Sequence, residues 1–395
     1  MTAIYLPVIS SGVKGDFKFW RKECPVYCNN LLVSPFTTGW GKRRRDFGEC
    51  KELTIYADSG GFQAVTMHKK ISALDVLRWQ ERIADIAFTL DIPPHYYTWD
   101  NNRDYTQEEL QKCMYQSIKN AELMREHQIN DDMELWGVIQ GRTFEECKIW
   151  YKDLTKNHTF DGYCIALSGN KSIKDFIEQM NFAKTIPNRI HFLGRSDQFV
   201  ALVLAKLSQL IKLDYTYDTS SSKIGEMFGL YLNPITESTR SFSKDERKRD
   251  DVKVLPCNCP VCRKYSTRPK KLIYNTGLIT LHNLYVKTSF CKFVNLIVSD
   301  DELFKFLLNQ IISRRQYQKN RAFVESQIAG LFDYDNILSS YEPTEALERA
   351  QKRIAESKDL TTIDNEFLND FILIFFGLKE PKYENNFIKM EAIYD

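Results

Sequence analysis

Four polar side chains stand at the ends of apolar, β-type runs. Asp58 ends Leu53–Asp58, Asp91 ends Asp85–Asp91, Gln140 ends Glu134–Gln140 and Asp218 ends Leu213–Asp218. Behind Asp58 the chain opens at once into Ser59-Gly60-Gly61-Phe62-Gln63. An aspartate followed by bare backbone suits a site that a flat, polar group must approach closely. Asp, Ser and Gly also form turns, and taken alone the segment reads as a turn. A second constellation is Cys257-Asn-Cys259-Pro-Val-Cys262, followed twenty residues later by His282. Three thiolates and one imidazole make a closed tetrahedral zinc set with no open position for water, so the metal is expected to be structural. An iron–sulfur cluster would want a fourth cysteine.

The elements that must position these groups follow a repeating plan. Short β-type runs occur at Leu31–Phe36, Leu53–Asp58, Asp85–Asp91, Glu134–Gln140, Gly162–Leu167, Arg189–Gly194, Leu213–Asp218 and Asp251–Leu255. Amphipathic helices are expected between them at Ser72–Ile83, Thr106–Gln128, Thr143–Leu154, Ile173–Ala183 and Asp197–Ile211. Thr106-Gln-Glu-Glu109 reads as a capping-box start. Strands alternating with helices predict a parallel sheet with helices outside, and eight such units predict a (β/α)8 TIM barrel. In that architecture strand C-termini share one mouth, so Asp58, Asp91, Gln140 and Asp218 are expected to converge there. The expected organisation is a barrel over residues 1–256, a zinc-binding subdomain over 257–300 and a helical extension over 301–395. Within the last part, helices are expected at Thr344–Ser357 and Asn365–Phe376.

Composition narrows the class without choosing a partner. The chain has 395 residues, 43% of them hydrophobic, and its 54 basic and 52 acidic side chains leave a net charge of +2. Basic residues cluster at Lys42-Arg43-Arg44-Arg45, flanked by Trp40 and Phe47, and again at Arg263, Lys264, Arg268, Lys270 and Lys271. Such runs are more often solvated faces than binding sites. No apolar stretch approaches the roughly 20 residues of a membrane span. The N-terminus lacks the pattern of a signal peptide. Most of the ten cysteines are scattered, as reduced thiols of a cytoplasmic protein would be, and Cys24 and Cys28 read as ordinary thiols.

These motifs together resemble the tRNA-guanine transglycosylase superfamily, whose members exchange guanine in nucleic acid for a 7-deazaguanine base. The superfamily's D-S-G-G-F-Q motif is present unaltered as Asp58–Gln63. Its other segments resemble Ala84–Asp91, Ile139-Gln140-Gly141, Phe160–Ser168, Phe192-Leu193-Gly194, Thr216–Ser220 and Leu278–Leu284, in the same order over roughly residues 50–290. The resemblance implies a (β/α)8 barrel with a structural zinc on Cys257, Cys259, Cys262 and His282. It implies a pentosyltransferase in which Asp218 is the nucleophile on the sugar C1′ and Asp58 the general acid/base. Asp91 and Gln140 would hold the guanine edge, and Ser59, Gly60, Gly61, Phe62, Gly141, Ala166 and Leu167 would shape the pocket. Departure of a base from C1′ passes through an oxocarbenium-like state that a carboxylate can trap, while a second carboxylate handles protons.

Departures from the pattern bear on the polynucleotide. The superfamily's F-D-E-C stretch is Leu90-Asp91-Ile92-Pro93 here, and its G-G-L loop is Ala166-Leu167-Ser168. After Asp218 the chain runs Thr219-Ser220-Ser221-Ser222-Lys223-Ile224, without the Pro-Thr-Arg and further Arg that read uridines in bacterial tRNA enzymes. No appended RNA-binding domain is recognised after residue 290. These features resemble the DNA-guanine transglycosylase branch, which implies DNA as partner with free guanine and a 7-deazaguanine such as 7-cyano-7-deazaguanine. The target would be flipped or single-stranded, with helper proteins a possibility for opening a duplex. Lys42, Arg43, Arg44, Arg45, Lys264, Lys270 and Lys271 would then contact phosphates, and Trp40 or Phe47 would fill the gap of a flipped base. The setting expected is a bacterial or phage-infected host cytoplasm. The alternatives are a divergent tRNA-guanine transglycosylase and a non-catalytic, zinc-stabilised nucleic-acid-binding subunit.

Overall fold

The computed structural model describes residues 1–9, 18–48, 51–94, 103–167, 173–218, 230–233, 239–241, 257, 259–265 and 275–316. Eight parallel strands form one sheet: β1 (Ala3–Leu6), β2 (Asn30–Val33), β3 (Thr54–Ala57), β4 (Ile86–Phe88), β5 (Glu134–Ile139), β6 (Gly162–Ala166), β7 (Ile190–Leu193) and β8 (Tyr215–Asp218). The order runs β1-β8-β7-β6-β5-β4-β3-β2, and a parallel bridge between Val8 and Leu32 joins the two edges. The sheet is thereby a nearly closed (β/α)8 barrel, as the alternation of elements predicts. Its strands are buried on both faces, which explains their continuous apolar runs.

The barrel is completed by a strand that the sequence pattern conceals. Ala3–Leu6 pairs with β8 from Ala3↔Tyr215 to Leu6↔Asp218. It is four residues long and followed by a proline, so it falls below the length at which alternation is readable. Pro7 sits where pairing changes partner: its carbonyl accepts from Leu32 N–H at 2.9 Å, and Ile9 N–H donates to Leu32 O at 3.0 Å. A residue without its own N–H is tolerated at such a junction. The strand expected at Asp251–Leu255 lies outside the described residues.

Helices connect the strands: α1 (Pro35–Thr38), α2 (Gly61–Thr66), α3 (Ala73–Glu81), α4 (Gln107–Glu126), α5 (Phe144–Leu154), α6 (Ile173–Ala183) and α7 (Gln198–Ile211). Neighbours α3 to α6 pack side by side in chain order. Their starts are set by side chains. Thr106 Oγ1 accepts from Glu109 N–H at 3.2 Å, while Glu109 returns a bond to Thr106 N–H at 2.8 Å. Thr143 and Glu146 repeat this reciprocal cap at α5. Inside the barrel, Tyr56, Phe88 and Trp136 meet at ring-centroid distances of 6.2–6.4 Å, with Leu6, Leu32, Ile86, Val138 and Cys164 in the same cluster. This aromatic plug forms the packed interior of the barrel.

The chain divides into two compact units. The first holds Met1–Ser196 and Leu213–Thr288, and so contains all eight strands and the Cys257–His282 cluster. It also carries the hairpin of β9 (Leu230–Leu232) and β10 (Thr239–Ser241), helix α8 (Pro260–Tyr265) and the first part of α9 (Thr276–Ile297). The second holds Asp197–Lys212 and Ser289–Asp395, with α7, the rest of α9 and α10 (Asp301–Gln316). Within this second unit the buried Lys206 ammonium donates to Val298 O at 2.8 Å and to Asp301 at 2.7 Å. The helices expected at Thr344–Ser357 and Asn365–Phe376 lie outside the described residues. Among the described residues, no helix is long and apolar enough to cross a membrane.

Candidate active site and metal centre

Asp58, Asp91, Gln140 and Asp218 all stand at the C-terminal ends of strands, on the face where barrels of this class place their chemistry. Asp58 directly follows β3 and accepts hydrogen bonds from the backbone N–H groups of Ser59 and Gly60. Even so, desolvation, reinforced by the negative charges of Asp91 and Asp218, raises its pKa to about 7. Such a carboxyl carries an exchangeable proton near neutrality, as a general acid/base requires.

Asp91 is buried and bound on both oxygens. Gln140 Nε2 donates to its Oδ2, and Ser59 Oγ donates to Oδ1 at 3.3 Å. Burial raises its proton affinity, and the Gln140 and Ser59 hydrogen bonds oppose that rise. Ser59 Oγ also accepts from Gly61 N–H at 3.2 Å, tying the glycine turn to the carboxylate.

The two glycines have a cause that the sequence reading did not anticipate. Gly60 adopts φ +77°, in the left-handed region, where it caps the start of α2. A Cβ on Gly61 would lie 2.5 Å from the backbone oxygen of Asp91. The pair thus lets one strand end close onto another. Phe62, the next residue, is 44% exposed at the start of α2. Gly141, Ala166 and Leu167 lie buried at the ends of β5 and β6.

Asp218, at the end of β8, is buried. Its Oδ1 accepts from the Gly194 N–H at 2.9 Å and lies 3.2 Å from His191 Nε2. His191 was not singled out in the sequence, because a lone histidine within Arg189–Gly194 reads as an ordinary core residue. The available signal was register: His191 pairs with Thr216, two residues before Asp218 and therefore on the same face of β8. Two buried glutamines were missed for the same reason. Gln80 Nε2 donates to Ala57 O at 3.0 Å and to Phe88 O at 2.8 Å, joining the ends of β3 and β4. Gln179 Nε2 donates to Gly141 O at 2.6 Å and to Ala166 O at 2.9 Å, joining the ends of β5 and β6. A Gln on the apolar side of an amphipathic helix was the readable trace of each.

The basic run lies elsewhere. Arg44 Nη1 pairs with Asp85 at 2.6 Å and its Nη2 donates to Leu53 O, both at the N-terminal ends of strands. That is the barrel end opposite Asp58 and Asp218. Phe47 is buried against Trp20 there, and Trp40 packs edge-on against Phe36 and Trp79. Lys42, Arg43 and Arg45 are exposed, as is Lys264 on α8, while Lys270 and Lys271 lie outside the described residues.

Cys257, Cys259, Cys262 and His282 bring one ligand atom each within 4.8 Å of one another. His282 Nδ1 lies 3.6, 3.5 and 3.3 Å from the Sγ atoms of Cys257, Cys259 and Cys262. A tetrahedral zinc with ordinary Zn–S and Zn–N bonds has an S···N edge of about 3.5 Å, so the set fits that ion. The surroundings orient it. His282 Nε2 is 2.8 Å from Leu232 O, which makes Nε2 the donor and leaves Nδ1 free to ligate. The Tyr231 ring stacks on the imidazole at 3.9 Å. Backbone N–H groups of Cys259 and Cys262 point at the Sγ atoms of Cys257 and Cys259 at 3.4 and 3.2 Å. Four protein ligands close the site, so a bound zinc would brace the fold and take no substrate. Among the described residues, the cysteines are free of disulfides.

A parallel barrel with three carboxyls at strand ends and a Cys3His cluster able to hold a metal can be set beside known proteins. The chain is 26% identical over 344 residues to the tRNA-guanine(15) transglycosylase of Methanococcus aeolicus, covering 80% of this chain and 50% of that protein. The proteins of the same name from Saccharolobus solfataricus and Methanocaldococcus jannaschii are 24% and 25% identical over 74% and 71% of this chain, and 56% and 44% of their own lengths. The chain thus spans about half the length of these curated relatives. No family model matches. The matches support membership in the tRNA-guanine transglycosylase superfamily.

Proposed function

We propose that the protein is a guanine transglycosylase, a pentosyltransferase that exchanges a guanine of a polynucleotide for a free base. The observation that carries this reading is the grouping of Asp58, Asp91 and Asp218 at three strand ends, with Asp58 protonated up to about pH 7. Asp218 would attack C1′ as the C1′–N9 bond breaks, and its electron pair would leave with guanine. Protonated Asp58 supplies the proton that the departing guanine needs. Incoming base then attacks C1′ through N9, the Asp218 ester bond breaks, and Asp58 takes the N9 proton. The cycle returns both carboxyls to their starting states.

Asp91 and Gln140 are the base readers in this scheme. Guanine presents N1–H and N2–H2 donors to Asp91 and an O6 acceptor to the Gln140 amide. Their mutual hydrogen bond marks them as groups of complementary polarity at one point of the mouth. Ser59, Gly60, Gly61, Phe62, Gly141, Ala166 and Leu167 line the approach. The incoming base is a 7-deazaguanine such as 7-cyano-7-deazaguanine. Zinc on Cys257, Cys259, Cys262 and His282 serves the fold.

The polynucleotide favoured by the relatives' names is tRNA, which would place the protein in the cytoplasm. DNA is the second reading, on one observation: Thr219-Ser220-Ser221-Ser222 follows Asp218 where bacterial tRNA enzymes carry uridine-reading arginines. Incubation with radiolabelled guanine and either total tRNA or DNA decides between them, with Asp218→Ala as control. Label in tRNA alone supports the first reading, and label in DNA alone the second. Label in neither, or label that persists with Asp218→Ala, overturns the mechanism.

A further inference from the structure

Asp218 is gripped on one oxygen only. Gly194 N–H and His191 Nε2 both meet Oδ1, at 2.9 and 3.2 Å. Among the described residues Oδ2 receives no hydrogen bond. An ionised carboxylate only accepts, so Nε2 must carry the imidazole proton. On the other side of the ring, Nδ1 lies 2.8 Å from Thr216 Oγ1, a hydroxyl that can donate or accept. The ring is fully buried and stacks on Phe88 with centroids 4.8 Å apart, which fixes its plane.

We propose that His191 is a positioning residue that ties down Oδ1 of Asp218 and so assigns Oδ2 as the atom that attacks C1′. The proposal rests on the transglycosylase reading. As the Oδ2–C1′ bond forms and C1′–N9 breaks, Oδ1 becomes the ester carbonyl oxygen, still held by His191 and Gly194. When the incoming base attacks C1′, the Oδ2–C1′ pair returns to the carboxylate, and the same two donors stabilise that leaving group. His191 keeps its proton throughout. A buried histidine with a purely structural task would be satisfied equally by backbone carbonyls. This one bonds to the proposed reacting carboxyl, through a ring whose other nitrogen is held by a second side chain.

The test compares wild type, His191→Ala, His191→Gln, Thr216→Val and Asp218→Ala in steady-state guanine exchange, with thermal melts for each. His191→Ala is expected to lower kcat about 10²-fold, the scale of a misplaced reacting group, with KM for guanine within about threefold. His191→Gln offers an amide N–H to Oδ1 and should recover about tenfold of that loss. Thr216→Val removes the hydroxyl that holds the far nitrogen of the ring and should cost about tenfold in kcat. A folded His191→Ala with wild-type kcat overturns the proposal. So does an equal loss in Ala and Gln accompanied by a raised KM, the mark of a packing role. If His191→Ala does not fold, unchanged kcat in both remaining variants overturns it instead. Wild type that exchanges no guanine in tRNA or DNA overturns the transglycosylase reading and this proposal with it. That outcome is distinct, because it appears in the unmutated protein.

Discussion

The carboxamide of Gln140 donates to the carboxylate of Asp91, so the two expected base readers satisfy each other across the ends of β4 and β5. A guanine edge offers both the partners they give up, donors to the acid and an acceptor to the amide. Binding is therefore an exchange of hydrogen bonds within a prearranged pair. We expect Gln140→Ala to raise KM for guanine by roughly 3- to 10-fold, the scale of a lost neutral hydrogen bond, with a smaller effect on kcat. Initial-rate kinetics over a range of guanine concentrations would check this, and an unchanged KM would remove Gln140 from the pocket.

Asp58 makes the site sensitive to pH in a defined direction. Its carboxyl holds a proton in the folded protein up to about pH 7, whereas the unfolded chain releases it near 3.8. Below the lower value both states are protonated and the group is neutral to stability. Between the two, the folded state binds the extra proton, so stability falls as pH rises, and the full loss is present above pH 7. Asp58→Asn should therefore stabilise the protein at pH 8, by on the order of 4 kcal/mol, and leave stability near pH 4 unchanged. Thermal melts at the two pH values test this. The same variant should lose at least about 10²-fold in exchange rate. In wild type the rate should decline above pH 7 as Asp58 loses its proton.

Gly61→Ala tests the close approach of two strand ends. The added Cβ would meet the Asp91 backbone oxygen at 2.5 Å, and backbone yields less readily than the tip of a side chain. A loss of about 1–3 kcal/mol in unfolding free energy is expected. Guanine KM should rise with it, because Asp91 must move. Urea titration and exchange kinetics on the same preparation would separate the two effects. A variant with wild-type stability would mean that the turn relaxes freely.

Zinc removal should act on the fold before it acts on catalysis. Metal analysis is expected to find zinc at one equivalent per chain, held by four protein ligands that exclude substrate. Chelation, or Cys259→Ser, should lower the melting temperature and release the metal in step with unfolding. A metal-free protein that melts as wild type yet exchanges no guanine would instead assign the ion to the chemistry.

The fold was legible where periodicity and caps agreed. Thr106 and Thr143 mark their helix starts in the sequence as they do in space, and seven of the eight expected β-type runs coincide with sheet strands. The strand Ala3–Leu6 was not legible, because four residues before a proline carry too little pattern. Charge was legible as composition but not as position. Arg44 belongs to the basic run Lys42–Arg45, and its guanidinium bonds with Asp85 and Leu53 at the N-terminal ends of strands. Residue type reports a charge but not which end of a barrel carries it. The polar groups at strand ends were readable, whereas their supports were not: His191, Gln80 and Gln179 sit within apolar patterns, where a single polar side chain passes as noise.

The two glutamines that join strand ends have a property that a carboxylate or histidine in their place would lack. A carboxamide does not change charge at any pH at which the protein is folded. Asp58 gains and loses a proton within each proposed turnover, and its neighbours feel that change. Gln80 and Gln179 do not respond to it. The end of β3 is thus joined to that of β4, and the end of β5 to that of β6, by groups that are electrically silent.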